Sequence, residues 1–239
     1  AASDVYKRQP RVWSTENDRP ESRFPGIRAA AGSSFDTTEV RWFASGALLP
    51  SFIEWFTNGG RAGILEIRYD VYRAGHSSDI GLKQRDHGPL EAKLRRGMNG
   101  TVHLGGDVYG RIEEWQKVRT ADLSDGEDVG GRWIEVHKVV VTRTFELGED
   151  GVVEVEHRDL DVPGCDVEIA SIEVDGTMAW TFALEAWGPD GIRRAVLEGA
   201  LAEFVARSRR FPPSFLSSLG PDIGYPEWLA RVVEGSRVA

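Results

Sequence analysis

From Thr37 onward, polar and apolar residues alternate in short runs. Thr37, Glu39 and Arg41 interleave with Thr38, Val40 and Trp42. Glu66, Arg68 and Asp70 alternate with Leu65, Ile67, Tyr69 and Val71, and Glu91, Lys93 and Arg95 alternate with Leu90, Ala92 and Leu94. Lys83 and Arg85 flank Gln84, and Glu154 and Glu156 flank Val155. A period of two is a strand signature, because successive side chains point to opposite faces. The pattern predicts strands at 37–43, 64–73, 79–86, 89–96, 132–147, 152–158, 166–174 and 177–187. Asp150-Gly151 and Asp175-Gly176 read as hairpin turns, because Gly supplies the positive φ that such turns need. His87-Gly88-Pro89 reads as a tight connection.

Helical spacing enters at a few points. Leu49, Phe52, Ile53 and Phe56 form one stripe, with Pro50 in the first turn and Gly59-Gly60 as the stop. Ile112, Trp115 and Val118 predict a short helix over 109–118, and a polar loop is expected over 119–131. Longer amphipathic patterns predict helices at 191–208 and near 226–234. The Tyr225-Pro226-Glu227-Trp228-Leu229 run is expected to dock an apolar plug on the domain. Trp42, Trp55, Trp115, Trp180 and Trp187 are expected to fill an outer core. These elements predict an α+β fold: an eight-stranded antiparallel β-barrel with flanking helices. Closure into a barrel removes exposed strand edges. The ionised strand face then either meets water or lines a tunnel.

Composition narrows the function classes. The chain has 239 residues, 41% hydrophobic content and eight Trp, enough for one large folded domain. A formal net charge of −9 argues against sequence-independent nucleic-acid binding and against an anionic membrane surface. No apolar run reaches the ~20 residues of a membrane-spanning helix. A single cysteine, Cys165 in a Pro-Gly-Cys-Asp turn pattern, forms no intramolecular disulfide and suits a reducing, cytoplasmic location. Residues 1–9, with Asp4–Gln9 reading DVYKRQ, match a translated sequencing adapter, as in a metagenomic gene fragment. They are set apart from the folded region. Residues 10–36 are polar and Pro-rich and read as a flexible segment, leaving 37–239 as the barrel domain with its C-terminal helices.

The order of Thr37-x-Glu39-x-Arg41, Lys83-x-Arg85, Glu91-x-Lys93-x-Arg95, Arg143 and Glu154-x-Glu156 resembles that of the CYTH-type, or triphosphate tunnel metalloenzyme, proteins. The resemblance covers most of residues 37–208. It implies a barrel whose lumen binds a linear triphosphate through basic residues, with acidic residues holding Mg²⁺ or Mn²⁺. By that resemblance Arg41, Lys93 and Arg143 are the catalytic candidates. Arg68, Lys83, Arg85 and Arg95 bind substrate, and Glu39, Glu154 and Glu156 hold the metal. Glu66 and Glu91 are further candidate lumen acids. Thr37 and Arg41 stand where the family motif has Glu and Lys. The implied activity is metal-dependent hydrolysis of a triphosphate, another phosphoanhydride or a phosphate ester. The alternatives are a non-catalytic polyphosphate- or nucleotide-binding module and an adenylate-cyclase-like lyase. The expected partner is a small phosphorylated anion, with no nucleic acid and no membrane. Phosphoryl transfer needs positioning and charge stabilisation more than a covalent nucleophile. The chain offers no Ser-His-Asp or Cys-His constellation and no P-loop ending.

Overall fold

The computed structural model describes residues 34–74, 77–85, 88–120, 132–208 and 210–236. Segments 1–9 and 10–33, most of the loop expected at 119–131, and His87 in the expected tight connection lie outside the described residues. The strands are β1 (Ser34–Ser45), β2 (Ile64–Ala74), β3 (Ile80–Arg85), β4 (Leu90–Gly105), β5 (Val108–Thr120), β6 (Arg132–Gly148), β7 (Gly151–Val155), β8 (Gly164–Val174) and β9 (Thr177–Trp187). The helices are α1 (Pro50–Phe56), α2 (Arg193–Ser208), α3 (Pro213–Ser218) and α4 (Tyr225–Ser236).

Antiparallel pairing runs β2-β3-β4-β5-β1-β9-β8-β6, and β6 pairs back with β2 to close an eight-stranded barrel. β7 adds a ninth strand on the free length of β6, beyond the point where β2 begins. The fold is α+β, with four helices around or across the barrel. No helix among the described residues is long and apolar enough to cross a membrane.

Two of the sequence expectations about strands need correction. Residues 109–118 are not a helix but the middle of β5, paired to β4 and β1. Ile112, Trp115 and Val118 are three residues apart, which imitates a helical stripe. In the strand, Ile112 and Val118 face outward while Trp115 faces the lumen, so apolar residues occupy both faces. The expected strand at 152–158 is shorter and lies outside the closed barrel as β7. The barrel therefore has the expected eight strands, with β5 in the place assigned to β7. In addition, β1 begins at Ser34, three residues before Thr37. Cys165 lies inside β8 rather than in a turn, and is fully buried.

The main core lies outside the barrel. Val40, Trp42, Phe145, Val167, Ile169, Phe182 and Leu184 project from the strands onto Phe52, Phe56, Leu197, Phe204 and Phe215 of α1, α2 and α3. Burial of these side chains stabilises the helix-to-barrel contact by roughly 1.5–3 kcal/mol per large residue. The opposite strand face carries the charges. The Asp175-Gly176 turn forms as expected, with φ of 47° and 75°.

A second core cluster closes one end of the barrel. Trp228, Leu229 and Val233 of α4 pack with Phe43, Tyr72, Ile134, Val136 and Val174 from four strands. Trp228 stacks on Phe43 with ring centroids 4.7 Å apart. The Tyr225–Leu229 run is thus a plug, as its sequence implies, and it sits at the lumen's inner end.

Candidate anion-binding lumen

Strand parity places one charged face inside the barrel. On β1, Thr37, Glu39 and Arg41 face inward while Val40 and Trp42 face the outer core. Register then carries the inward face around the barrel. Glu39 lies opposite Glu185 of β9 and Glu113 of β5, and Glu185 lies opposite Asp166 of β8. Arg68 of β2 lies opposite Lys138 of β6, and Asp70 lies opposite Arg85 of β3. Lys83 faces Glu91, which faces Arg119, and Lys93 of β4 faces Lys117 of β5. The structure therefore brings together Glu39, Arg41, Arg68, Lys83, Arg85, Lys93 and Arg95 of the sequence candidates, together with Glu66 and Glu91.

Arg143, Glu154 and Glu156 do not join them. Arg143 shares the face of Val141 and Phe145, which points into the outer core. Its guanidinium donates to both Glu154 carboxylate oxygens at 2.6 and 2.7 Å, to the Phe56 carbonyl at 3.1 Å, and to Ser208 Oγ. Glu154 lies opposite Phe145 in the β6–β7 register and so shares that outward face. Glu156 follows β7 on an exposed bend. The catalytic assignment of Arg143 and the metal assignments of Glu154 and Glu156 are therefore replaced by a structural role for Arg143 and Glu154. The cause is that β7 extends β6 sideways instead of lining the tunnel.

Sequence reasoning also missed residues that the lumen contains. Lys117 was hidden by the helical reading of 109–118, and Arg119 by the loop expected at 119–131. Asp166 and Glu185 lie in β8 and β9 among apolar residues, and Lys138 stands between Val136 and Val140 on one face of β6; of Glu168 and Glu173, whose spacing lets at most one face inward, Glu168 is the inward one. The inward parity of Glu168, with Glu173 outward and exposed, follows from their odd spacing. Trp115 is a lumen residue rather than outer core, with Lys93 Nζ 4.8 Å and Arg95 Cζ 5.8 Å from its ring centroid. Trp187 lies on the inward parity of β9, where its indole N–H donates to the Val162 carbonyl at 2.8 Å.

The basic side chains of the lumen are matched nearly one for one by acids. Arg41 donates to Glu168 at 2.9 Å and to Thr181 at 3.1 Å. Lys138 donates to Asp70 at 2.7 Å and to the Tyr72 hydroxyl at 2.6 Å, and Arg85 reaches the other Asp70 oxygen at 3.3 Å. Arg68 pairs with Glu66 and lies 3.5 Å from Glu168. Arg95 donates to Glu113 at 2.6 Å and pairs with Asp79. Lys83 lies 3.4 Å from Glu91. At the carboxylate row, Glu39 accepts from Thr37 Oγ1 at 2.9 Å and from Lys93, while Lys117 binds Glu185 and lies 3.7 Å from Glu39. Thr37 thus supports Glu39 without adding a charge.

Burial and neighbours shift these groups strongly. Burial pushes the Lys138 ammonium down to about 7, with Asp70 opposing in part. Burial and the adjacent Arg85 bring Lys83 to about 8. Lys93 is also lowered by burial. Burial alone would raise Glu168, but Arg41 and Arg68 outweigh it and hold the carboxyl at about 2. Asp70 is likewise held below its ordinary value, because Lys138, Lys83 and Arg85 outweigh its burial.

The donor chemistry at Glu39 and Glu185 suits a hard divalent cation, which takes oxygen ligands and needs only one or two carboxylates alongside phosphate oxygens. The two acids face each other and share the Lys117 ammonium between them. Among the described residues, no three His, Cys, Asp or Glu side chains already converge as a cation cage.

No protein-family model matches the chain, and no curated protein matches it by sequence. Among solved structures, the RNA triphosphatase Pct1 of S. pombe aligns over 75% of this chain and 86% of its own, with a TM-score of 0.40 and 10% identity. That likeness is loose, concerns the fold alone, and transfers no residue role. By its own topology, the chain is the closed eight-stranded antiparallel barrel with a charged lumen that the resemblance to the triphosphate tunnel proteins implies.

Proposed function

We propose that the barrel binds a linear phosphate chain in its lumen and hydrolyses a phosphoanhydride bond of it with the help of Mg²⁺ or Mn²⁺. The observation that carries this reading is the pairing of neighbouring Lys93 and Lys117 with facing Glu39 and Glu185 inside a closed barrel. The charge there is arranged for exchange rather than for a permanent core salt bridge. Arg68, Lys83, Arg85 and Lys138 neutralise the phosphates deeper along the wall. Arg41 stays charged at any working pH and offers a forked guanidinium to phosphoryl oxygens, so its part is charge stabilisation, not proton abstraction. Glu39 and Glu185 would hold the divalent ion, which supplies charge neutralisation at the transferred phosphoryl group.

Phosphate release from tripolyphosphate, measured with Mg²⁺ or Mn²⁺ and with EDTA, tests the reaction. Calorimetric binding of the same anion tests the lumen. Turnover that requires the divalent ion and is lost in Glu185→Gln supports the hydrolase. Tight binding without turnover under either ion selects the non-catalytic binding module, a reading favoured by Thr37 in place of a second carboxylate on β1. Failure to bind tripolyphosphate at all refutes both.

A further inference from the structure

Where α4 enters the barrel, Tyr225 places a phenol among the charged side chains. Its ring stacks on Tyr72, with centroids 5.3 Å apart and planes 4° from parallel. Lys138 Nζ lies 4.1 Å and Arg41 Cζ 5.0 Å from the ring centroid. The two tyrosines differ in one respect. The Tyr72 hydroxyl donates to Asp70 and accepts from Lys138. The Tyr225 hydroxyl is buried and has no hydrogen-bond partner among the described residues. The charged groups acting on it are Arg41, Glu168, Asp70 and Arg68, all of the lumen wall. Burial keeps it protonated, so it remains a donor at working pH.

One other lumen hydroxyl is in the same state. Thr142 Oγ1 on β6 is buried and has no partner among the described residues, and Thr142 lies directly opposite Glu168. Two orphan hydroxyls therefore border the Arg41–Glu168 pair, one from the wall and one from the plug. Buried polar groups are almost always satisfied, and an orphan costs free energy unless something else supplies its partner. Arg41, Arg68 and Lys138 make that surrounding favourable to an anion's oxygens.

We propose that the Tyr225 and Thr142 hydroxyls are ligand contacts, donating hydrogen bonds to oxygens of the innermost phosphoryl group, so that the C-terminal helix α4 completes the anion site. This rests on the reading of the lumen as a phosphate-chain site. Trp228, stacked on Phe43, fixes the helix so that Tyr225 reaches the lumen at one depth. The plug is then part of the binding wall as well as a stopper.

The test is calorimetry with tripolyphosphate, paired with thermal denaturation, on Tyr225→Phe and Thr142→Val. Tyr225→Phe removes only the hydroxyl and keeps the ring contacts. The expected result is an affinity loss of about five- to tenfold for each variant, with no fall in the melting temperature of the free protein, because an unsatisfied group has been removed. Thr142→Ser, which restores a hydroxyl, should recover affinity. Wild-type affinity in Tyr225→Phe, while Arg85→Ala binds more weakly, overturns this proposal and leaves the lumen reading intact. An affinity loss that comes with an equivalent loss of melting temperature also overturns it. Absence of binding by the wild type overturns both.

Discussion

Arg143→Met separates the scaffold from the site. Arg143 is 2% exposed and bonds Glu154, the Phe56 carbonyl and Ser208, while its guanidinium carbon lies 4.9 Å from the Phe204 ring centroid. Removing the cation leaves Glu154 without its bidentate partner and two further acceptors unmatched. Breaking a buried pair from one side costs about 3–5 kcal/mol. Glu154 is partly shielded and keeps Arg207 at 3.7 Å, so the lower end of that range is expected. For a domain of this size the loss corresponds to a fall in melting temperature of roughly 6–12 °C. Urea denaturation measures the stability term. Calorimetry with tripolyphosphate, well below both unfolding midpoints, measures the site and should show an affinity within about twofold of wild type. Arg143→Met with Glu154→Leu should recover most of the stability, since apolar replacement of a whole buried pair is often neutral. A tenfold affinity loss in Arg143→Met with unchanged stability would falsify its assignment to the outer core.

Four other outcomes follow from the same geometry. Lys138 and Lys83, at about 7 and 8, bind an anion only as ammonium groups, so tripolyphosphate affinity should fall between pH 6 and 9, and Lys138→Met should flatten that slope in a calorimetric pH series. Their folded pKa values lie below the ordinary 10.5, so the unfolded chain holds more protons in between, and the free protein should gain stability as pH rises from about 7 toward 10.5. Glu168, held at about 2 against an ordinary 4.5, contributes stability above pH 4.5 that is lost as pH falls toward 2; an acid unfolding curve of Glu168→Gln should lose that component, on the order of 3 kcal/mol. Gly110→Ala would bring a methyl within 2.2 Å of Trp42 Cζ2 and 2.6 Å of Val40 Cγ2, so urea denaturation should show about 1–3 kcal/mol of destabilisation with the lumen affinity preserved; a fully stable variant would contradict the packing of β5 on β1.

Much of the barrel was legible because one face of each strand is charged and the other apolar. Thr37, Glu39 and Arg41 against Val40 and Trp42 specify both strand and facing. The exceptions have physical causes. β5 reads as a helix because Trp115 faces the lumen as a platform for Lys93 and Arg95, and so breaks the alternation. Arg143 could have been placed by parity alone: its face carries Val141 and Phe145, while Thr142 and Thr144 flank it on the lumen face. Glu154-x-Glu156 has the right local pattern, but which strands close the barrel is a long-range property that local alternation does not contain. Lys138 and Glu185 carry little signal, since each is one charged residue in an apolar run. Their meaning appears only when register brings them opposite Arg68 and Glu39.

The most direct test of the lumen as an anion site is a crystal structure of the complex with tripolyphosphate, grown with Mn²⁺ so that anomalous scattering locates any metal. The expected result is phosphate density inside the barrel within hydrogen-bond distance of Lys83, Arg85, Lys93 and Lys138, with Lys117 turned from Glu185 and Mn²⁺ beside Glu39 and Glu185. Phosphate density confined to the outer surface, with the Lys117–Glu185 pair intact and the lumen holding only water, would contradict it.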